Sequence, residues 1–185
     1  SEKGKEEAIR IIETTELKND RVLVVYLPDC HESLAGIIAG RIREKYHRPA
    51  FVLTGGETSA KGSGRSIESY SMYEELVKCA DLMIQFGGHP MAAGLSIEEK
   101  NIEEFRRRLN VNCTLTDEEL RPKIVIDVPM PVSYITKELV EQISLLEPFG
   151  KGNTKPVFAQ KNLRVLDYSI IGKNKNVVKL KLLDP

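Results

Sequence analysis

The segment QFGGHPMAAG (85–94) combines residue types that can bind an anion. Gly87 and Gly88 can expose successive backbone N–H groups as an anion nest, and His89 adds a hydrogen-bond donor among small residues that admit a ligand. This chemistry suits a phosphate group. A tight loop, in which the glycines only satisfy turn geometry and His89 caps a carbonyl group, explains the same residues and is favoured on this segment alone.

A second segment, KGSGRSI (61–67), offers complementary groups. Arg65 carries a planar fork of N–H donors that matches phosphate oxygens, Ser63 and Ser66 add hydroxyls, and Lys61 adds charge. The spacing is neither that of a Walker loop nor that of the dinucleotide-binding glycine fingerprint. A flexible hairpin explains this segment equally well when it is taken alone.

The other chemically capable residues give weaker signals. His31 falls in the first turn of a predicted helix, where N–H groups favour anions, although a solvent-facing histidine is the simpler interpretation. Cys30, Cys79 and Cys113 form no Cys-x-x-Cys pair, and with the histidines they lack metal-ligand spacing, so we expect no metal site. No Asp-His-His cluster is present to activate water. We therefore expect the chain to be catalytically silent.

Alternating strands and helices are predicted to position these segments. Residues 2–13 form the end of a charged linker helix, and the β-branched run 21–28 forms a buried strand. Asp29 and Glu32 then make a capping box that opens a helix, which ends at Arg48-Pro49 and contains Gly36 and Gly40, where another backbone could approach closely. A second strand at 50–56 lies parallel to the first, because a helix connects them.

The remaining elements complete an α/β domain and begin a second module. The rest of the first domain consists of a short strand at 65–67, a helix capped by Ser71 and Glu74, a strand at 91–97, and a helix opened by Ser96 and Glu99 that ends near Asn110. The second module has strands at 123–128, 156–160, 163–170 and 177–183 and a helix at 136–146. These strands are too few to close a five-stranded barrel, so we expect an incomplete OB-like β module.

Composition is that of an ordinary globular protein, with 41% apolar and 29% charged residues. No apolar run reaches the roughly 20 residues that span a bilayer, and no secretory signal is evident, so a cytoplasmic location is the default expectation. Charge is unevenly distributed: residues 1–120 hold 16 basic and 21 acidic side chains, and residues 121–185 hold 11 and 6. The basic tail is weak support for a polyanionic partner.

The ordered set of motifs HESLAGIIAGRIREKYHRPAFVL, KGSGRSI, YEELVKCADLMIQFGGHPMAAGLSI and FRRRLN resembles the DHH-associated domain of the RecJ exonucleases. The later LLEPFGKGNTKPVFAQKNLRV resembles their adjoining OB-type domain. The resemblance implies an α/β DHH-associated domain with a mixed sheet and flanking helices at 21–112, after a linker at 1–20, and a partial OB-type domain at 120–185. One departure is Cys30-His31-Glu32-Ser33-Leu34, where many relatives have Trp-His-x-Gly-Val.

The resemblance also implies a function. Such enzymes use Mn²⁺ or Mg²⁺ to remove nucleotides from the 5′ end of single-stranded DNA in recombination and repair, and their metal-binding DHH domain would precede residue 1 as an intramolecular partner. Transferred by position, Ser63, Gly64 and Arg65 would hold the 5′ phosphate, Gly87, Gly88 and His89 would line the cleft, and His31 is a weaker transfer. The tail offers aromatic and basic residues that could contact bases and phosphates, or belong to a core: Tyr134, Phe149, Phe158, Tyr168, Lys151, Lys155, Lys161, Lys173 and Lys175.

Two other functions fit the same residues. A short-RNA or dinucleotide phosphoesterase of the DHH superfamily would share the GGHxxAAG segment, although such proteins typically end soon after it. A stand-alone module that binds nucleic acid or a protein partner would need no catalytic residues.

Overall fold

The computed structural model describes residues 2–150 and 152–183. The chain divides into two compact units, Ser1–Pro122 and Lys123–Pro185, which are described separately below. None of the described helices has the length and apolar character needed to cross a membrane.

Unit 1 is built on a five-stranded mixed sheet with the order β1-β2-β3-β5-β4. Its elements are α1 (Glu2–Thr14), β1 (Leu23–Leu27), α2 (Glu32–Tyr46), β2 (Ala50–Thr54), β3 (Ala60–Arg65), α3 (Met72–Val77), β4 (Met83–His89), β5 (Ala92–Ile97) and α4 (Ile102–Val111). Strands β1 and β2 are parallel, and the pairs β2–β3, β3–β5 and β4–β5 are antiparallel. The predicted parallel pair is confirmed, and so is the α/β class with a mixed sheet.

Side chains of the sheet alternate between two hydrophobic cores, because successive residues of a strand point to opposite faces. On one face, β1 and β2 pack against α1 and α2, and the buried residues include Ala8, Ile12, Leu23, Val25, Ile38, Ile42 and Val52. On the other face, α3 and α4 cover the sheet, and the buried residues include Val24, Phe51, Leu53, Met72, Leu76, Leu95, Phe105 and Leu109. Because Ala8 and Ile12 are fully buried, α1 is packed into unit 1. Leu115, which follows α4, is also buried in this unit.

Several predicted element boundaries need correction. The glycine-rich stretch before Arg65 is itself strand β3, so the short strand predicted at 65–67 is wrong. The cap of α2 is His31 and not Asp29. Ser96 lies within β5, and a 3₁₀ turn at Glu99–Asn101 leads into α4 without a side-chain cap. The predicted Ser71 cap is confirmed, because its hydroxyl accepts a hydrogen bond from the Glu74 N–H at 3.5 Å.

Unit 2 has less regular structure. Its elements are β6 (Val128–Pro129), α5 (Lys137–Ser144), β7 (Phe158–Ala159), β8 (Arg164–Ile171) and β9 (Val177–Leu183). Strands β6 and β7 pair in parallel, and β8 and β9 form an antiparallel hairpin. The strand predicted at 123–128 is wrong for most of its length, since only its last residue lies in β6. No residue at 123–150 or 152–183 is buried.

The side chain of Asn110 ties α4 to the start of β1. Its Oδ1 accepts hydrogen bonds from the backbone N–H groups of Arg21 and Val22 at 2.9 and 3.0 Å. Its Nδ2 donates to the carbonyl oxygens of Val22 and Arg106, both at 3.0 Å. One amide group therefore satisfies four backbone groups that have little access to water.

Replacing Asn110 with alanine should lower the free energy of unfolding by about 2 to 3 kcal/mol, because it leaves partly buried backbone groups without a partner. Urea denaturation of the chain monitored by circular dichroism measures the change. Asn112→Ala, at the exposed residue that caps the same helix, is the control and should cost less than about 0.5 kcal/mol. Equal losses for the two variants would contradict the structural role of the Asn110 amide.

Candidate anion-binding site

Half of one sheet face in unit 1 is open to solvent. Helices α1 and α2 cover β1 and β2 on this face, and α2 reaches β3, so the same face of β5 and β4 is uncovered. The open part forms a groove of about 680 Å³ beside the first turn of α2. The residues that line the groove are Glu32, Ser33, Lys61, Gly62, Gln85, Phe86, Gly87, Gly94, Leu95 and Ser96.

The strand register places the predicted site residues in cross-strand rows. Strands β3, β5 and β4 lie side by side, and their pairing gives three rows on the open face: Arg65, Ala92 and His89; Ser63, Gly94 and Gly87; and Lys61, Ser96 and Gln85. Neighbouring strands are about 4.8 Å apart, so the backbones at Arg65 and His89 are separated by about 10 Å. The fold thus brings the two glycine-rich segments to one surface.

Arg65 is held in place by its own strand. Its Nη1 donates hydrogen bonds to the carbonyl oxygen of Gly64 at 2.7 Å and to the Ser63 hydroxyl at 3.2 Å. It makes no ion pair with a carboxylate within residues 2–150 and 152–183. The guanidinium therefore keeps its positive charge uncompensated by a direct acidic neighbour, and its remaining N–H groups suit an incoming anion.

Helix α2 passes close to this guanidinium at Gly36. A Cβ atom at this position would lie 2.7 Å from Arg65 Nη2 and 3.0 Å from the Ser63 Oγ. A methyl group there would therefore push the arginine side chain aside. One turn later, Gly40 has no atom within 4 Å of the corresponding Cβ position. The close neighbours of Gly36 are therefore side chains and not the backbone predicted from the sequence, and Gly40 has no close neighbour at all.

Gly87 and Gly88 lie within strand β4, so the loop predicted for them is wrong. They pair with Gly94 and Ala93 of β5. Because consecutive N–H groups of a strand point to opposite sides, these two cannot converge on one anion as a nest. Gly88 has a φ of 151°, and a Cβ atom there would lie 2.4 Å from the Ala92 carbonyl oxygen, which explains the need for glycine.

The turn after β4 fixes His89. Its Nδ1 accepts a hydrogen bond from the Met91 N–H at 3.3 Å, and the ring is exposed. The carbonyl oxygen of Pro90 accepts from the Met72 N–H at 3.0 Å, and that of Met91 accepts from the Ser66 N–H at 2.9 Å. The hairpin is therefore tied to α3 and to the residue after β3, which sets the position of the imidazole at the end of the Arg65 row.

Two residues considered in the sequence serve local structure. His31 caps α2: its Nδ1 accepts from the Ser33 N–H at 3.2 Å and lies 2.8 Å from the Ser33 hydroxyl, and His31 does not line the groove. Ser66 is buried, and its hydroxyl donates to the Tyr70 carbonyl oxygen at 2.6 Å, so it is not available to a ligand.

An ion pair stands at the other end of the groove. The Lys61 Nζ lies 2.7 Å from Glu32 Oε2, and both side chains are about half exposed. The hydrogen bond from Lys61 lowers the pKa of the Glu32 carboxyl, and the same bond raises the pKa of the Lys61 ammonium. Sequence reasoning assigned Glu32 to a capping box and missed Ser33, Gln85 and Ser96 altogether. The signal for this face was the spacing of Lys61, Ser63 and Arg65 at every second residue.

In unit 2, the aromatic residues considered for base stacking differ in exposure. Tyr134 and Tyr168 are both 67% exposed. Phe149 and Phe158 instead line an apolar pocket of about 280 Å³ next to α5. Lys151 lies outside the described residues.

The described residues contain no group of three His, Cys, Asp or Glu side chains that could hold a metal ion. The residues that line the groove include a lysine–glutamate pair, two serine hydroxyls and small residues, and these groups can bind an anionic ligand.

Both domains of the chain match known protein families. A model described as the DHHA1 domain matches residues 19–114, and one described as the RecJ OB domain matches residues 126–185. The single-stranded-DNA-specific exonuclease RecJ of Bacillus subtilis is 36% identical over 95% of this chain, and that of Escherichia coli is 34% identical over 90%. The chain spans 23% and 30% of the length of these two relatives.

A crystal structure of Thermus thermophilus RecJ in complex with Mg²⁺ matches 96% of this chain and 28% of its own, with a TM-score of 0.74 and 26% identity. A second structure of that protein contains Mn²⁺ and gives a TM-score of 0.71. The described residues have no donor cluster for either metal. With both domain models matched in order and a shared fold over nearly its whole length, the chain belongs to the RecJ family, of which it carries the DHHA1 and OB domains.

Proposed function

We propose that this chain is the DNA-binding part of a single-strand-specific 5′-to-3′ DNA exonuclease of recombination and repair. In this proposal residues 21–112 form the substrate-binding domain, and residues 120–185 form a partial OB-type domain that binds nucleic acid. Catalysis belongs to a metal-binding DHH domain elsewhere in the longer protein, which is the intramolecular partner of this chain. The relatives named RecJ exonuclease and the metal-containing RecJ structures support this arrangement.

The uncompensated guanidinium of Arg65 carries the proposal. It lies beside the Ser63 hydroxyl and against Gly36 of α2, next to the groove but not among its lining residues, in the row that ends at His89. Between the Arg65 row and the Lys61 row lies the row of Ser63, Gly94 and Gly87. Its side chains are small or absent, so none of them blocks the approach of a sugar-phosphate chain. An exonuclease must hold backbones whose bases vary, and phosphate-directed groups bind without selecting a sequence.

In unit 2, the exposed Tyr134 and Tyr168 are the candidates for stacking on bases, beside the exposed lysines of the tail. The match to the RecJ OB model at 126–185 favours the exonuclease over a short-RNA or dinucleotide phosphoesterase. It also disfavours a module unrelated to nucleases.

Arg65→Ala should weaken binding of a 5′-phosphorylated single strand by about tenfold, because a charge-assisted hydrogen bond contributes about 1.5 to 3 kcal/mol. The slope of log affinity against log salt should also fall by roughly 0.7, the value for one lost phosphate contact on a single strand. Fluorescence anisotropy with a labelled oligodeoxynucleotide measures both quantities.

Arg107→Ala is the matched control for Arg65→Ala. It removes the same charge from α4, where the guanidinium pairs with Glu104 on the other side of the sheet. If both variants lost affinity equally, general charge and not the groove would explain the binding. If Arg65→Ala had no effect on affinity for the 5′-phosphorylated strand, the proposed phosphate contact would be wrong.

Gly36→Ala should weaken the same binding about threefold to tenfold without unfolding the domain, because the new methyl group displaces the flexible end of Arg65. Gly40→Ala, one turn along the same helix, has free space and should bind DNA as the unmodified chain does. Both variants should gain up to about 1 kcal/mol of helix propensity. Thermal denaturation and anisotropy measure the two effects, and equal affinities for both variants would contradict the positioning role of Gly36.

The chain alone should release no nucleotides from labelled single-stranded DNA in the presence of Mg²⁺ or Mn²⁺, since its described residues offer no metal-ligand cluster. Denaturing gel electrophoresis of the labelled strand measures this. Metal-dependent shortening of the strand by the purified chain, absent from an Arg65→Ala preparation purified in parallel, would place a catalytic centre within it.

A further inference from the structure

The Glu32–Lys61 ion pair occupies the part of the groove where a second phosphate would be bound. Lys61 lies on the same face of β3 as Ser63 and Arg65, and its row continues through Ser96 to Gln85. Its ammonium would be the natural contact for a strand that leaves Arg65 and follows the groove. Glu32 Oε2 instead takes this position, 2.7 Å from the Lys61 Nζ.

Distance separates the two cations into different contacts. Lys61 and Arg65 are four residues apart on β3, which corresponds to about 13 Å because a strand rises about 3.3 Å per residue. A span of about 13 Å between backbone positions has room for two phosphate groups, so Arg65 can bind the terminal phosphate while Lys61 binds one further along the same strand.

The helix stabilises Glu32 in this role. Glu32 is the first residue of α2, where the helix dipole favours a negative charge. The lowered pKa of its carboxyl agrees with a charged group held by Lys61. Both side chains are about half exposed, so water and salt weaken the ion pair and a phosphate can compete with the carboxylate for Lys61.

We infer that Glu32 is a specificity-determining residue that masks Lys61 from the interior of the DNA strand. The inference rests on the proposed function, since it assumes that the groove holds single-stranded DNA. With Lys61 neutralised, the terminal phosphate at Arg65 is bound firmly and the following backbone in the groove is bound weakly.

The test is Glu32→Gln, which keeps the size of the side chain and frees Lys61. Binding of a 5′-phosphorylated oligothymidylate on the order of 12 nucleotides long should tighten about threefold to fivefold. The salt slope should steepen by roughly 0.7, the value for one additional phosphate contact on a single strand. Thymidine 5′-monophosphate, which carries no second phosphate, should bind with unchanged affinity.

Glu44→Gln is the control for the change in net charge. Glu44 pairs with Arg41 at 3.1 Å near the other end of α2, about 18 Å from Glu32 at 1.5 Å per residue. It should leave affinity for the long strand within twofold of the unmodified chain. The double variant Glu32→Gln/Lys61→Gln should lose the gain, because the freed cation is no longer present.

The outcomes separate this inference from the proposed function. If Arg65→Ala weakens binding while Glu32→Gln matches Glu44→Gln, the masking role is wrong and the groove is still the binding site. If Glu32→Gln tightens binding of thymidine 5′-monophosphate as much as that of the long strand, the assignment of Lys61 to a later phosphate is wrong. If neither Arg65→Ala nor Glu32→Gln changes affinity, the proposed function and the inference both fail.

Discussion

The two-residue alternation of strands β3, β5 and β4 is the constraint on which both the core and the groove depend. Residues at even positions of β3 face α3 and α4, where a Cβ atom at Gly64 would lie 2.6 Å from the Met72 sulfur. Residues at odd positions face the other way, where Ser63 and Arg65 lie next to α2. A shift of one residue in register would bury Arg65 in the apolar core, so the packing of Phe51 and Met72 also fixes which side chains of β3 face α2 and the groove.

This constraint explains how much of the site can be predicted. The bounds of β1 and α2, which carry clear apolar periodicity, are predicted to within a few residues. The bounds of β2 and its parallel pairing with β1 are predicted equally well. The chemical types of Arg65 and Ser63 point to phosphate without any structural knowledge. These features are local, so the sequence contains them directly.

What could not be predicted depends on contacts distant in sequence. Glycine is disfavoured in strands, so the stretch before Arg65 gave the signal of a loop. It forms β3 because Phe51 of β2 and Met72 of α3 fill the space that side chains at Gly64 would need. The order β3-β5-β4, which places His89 in the Arg65 row, is set by the same tertiary packing. Glu32 is wrongly predicted for a similar reason. A carboxylate three residues after Asp29 indicates a capping box, but in the folded chain Glu32 pairs with Lys61, which is distant in the sequence.

The hairpin of unit 2 follows the same alternation with a different result. Asp167, Ser169, Lys179 and Lys181 share one face of β8 and β9, and Tyr168, Ile170, Val178 and Leu180 share the other. In unit 1 the apolar face of each strand is covered by helices, whereas in the hairpin both faces are exposed. The polar face contributes lysines and the apolar face an exposed tyrosine, so this surface can combine phosphate attraction with base stacking.

The groove of unit 1 lacks an exposed aromatic ring among its lining residues that could stack in this way, since Phe86 packs towards the core. The two units therefore differ in the groups they expose: the groove of unit 1 is lined mainly by polar and small residues, and the hairpin of unit 2 adds an exposed tyrosine.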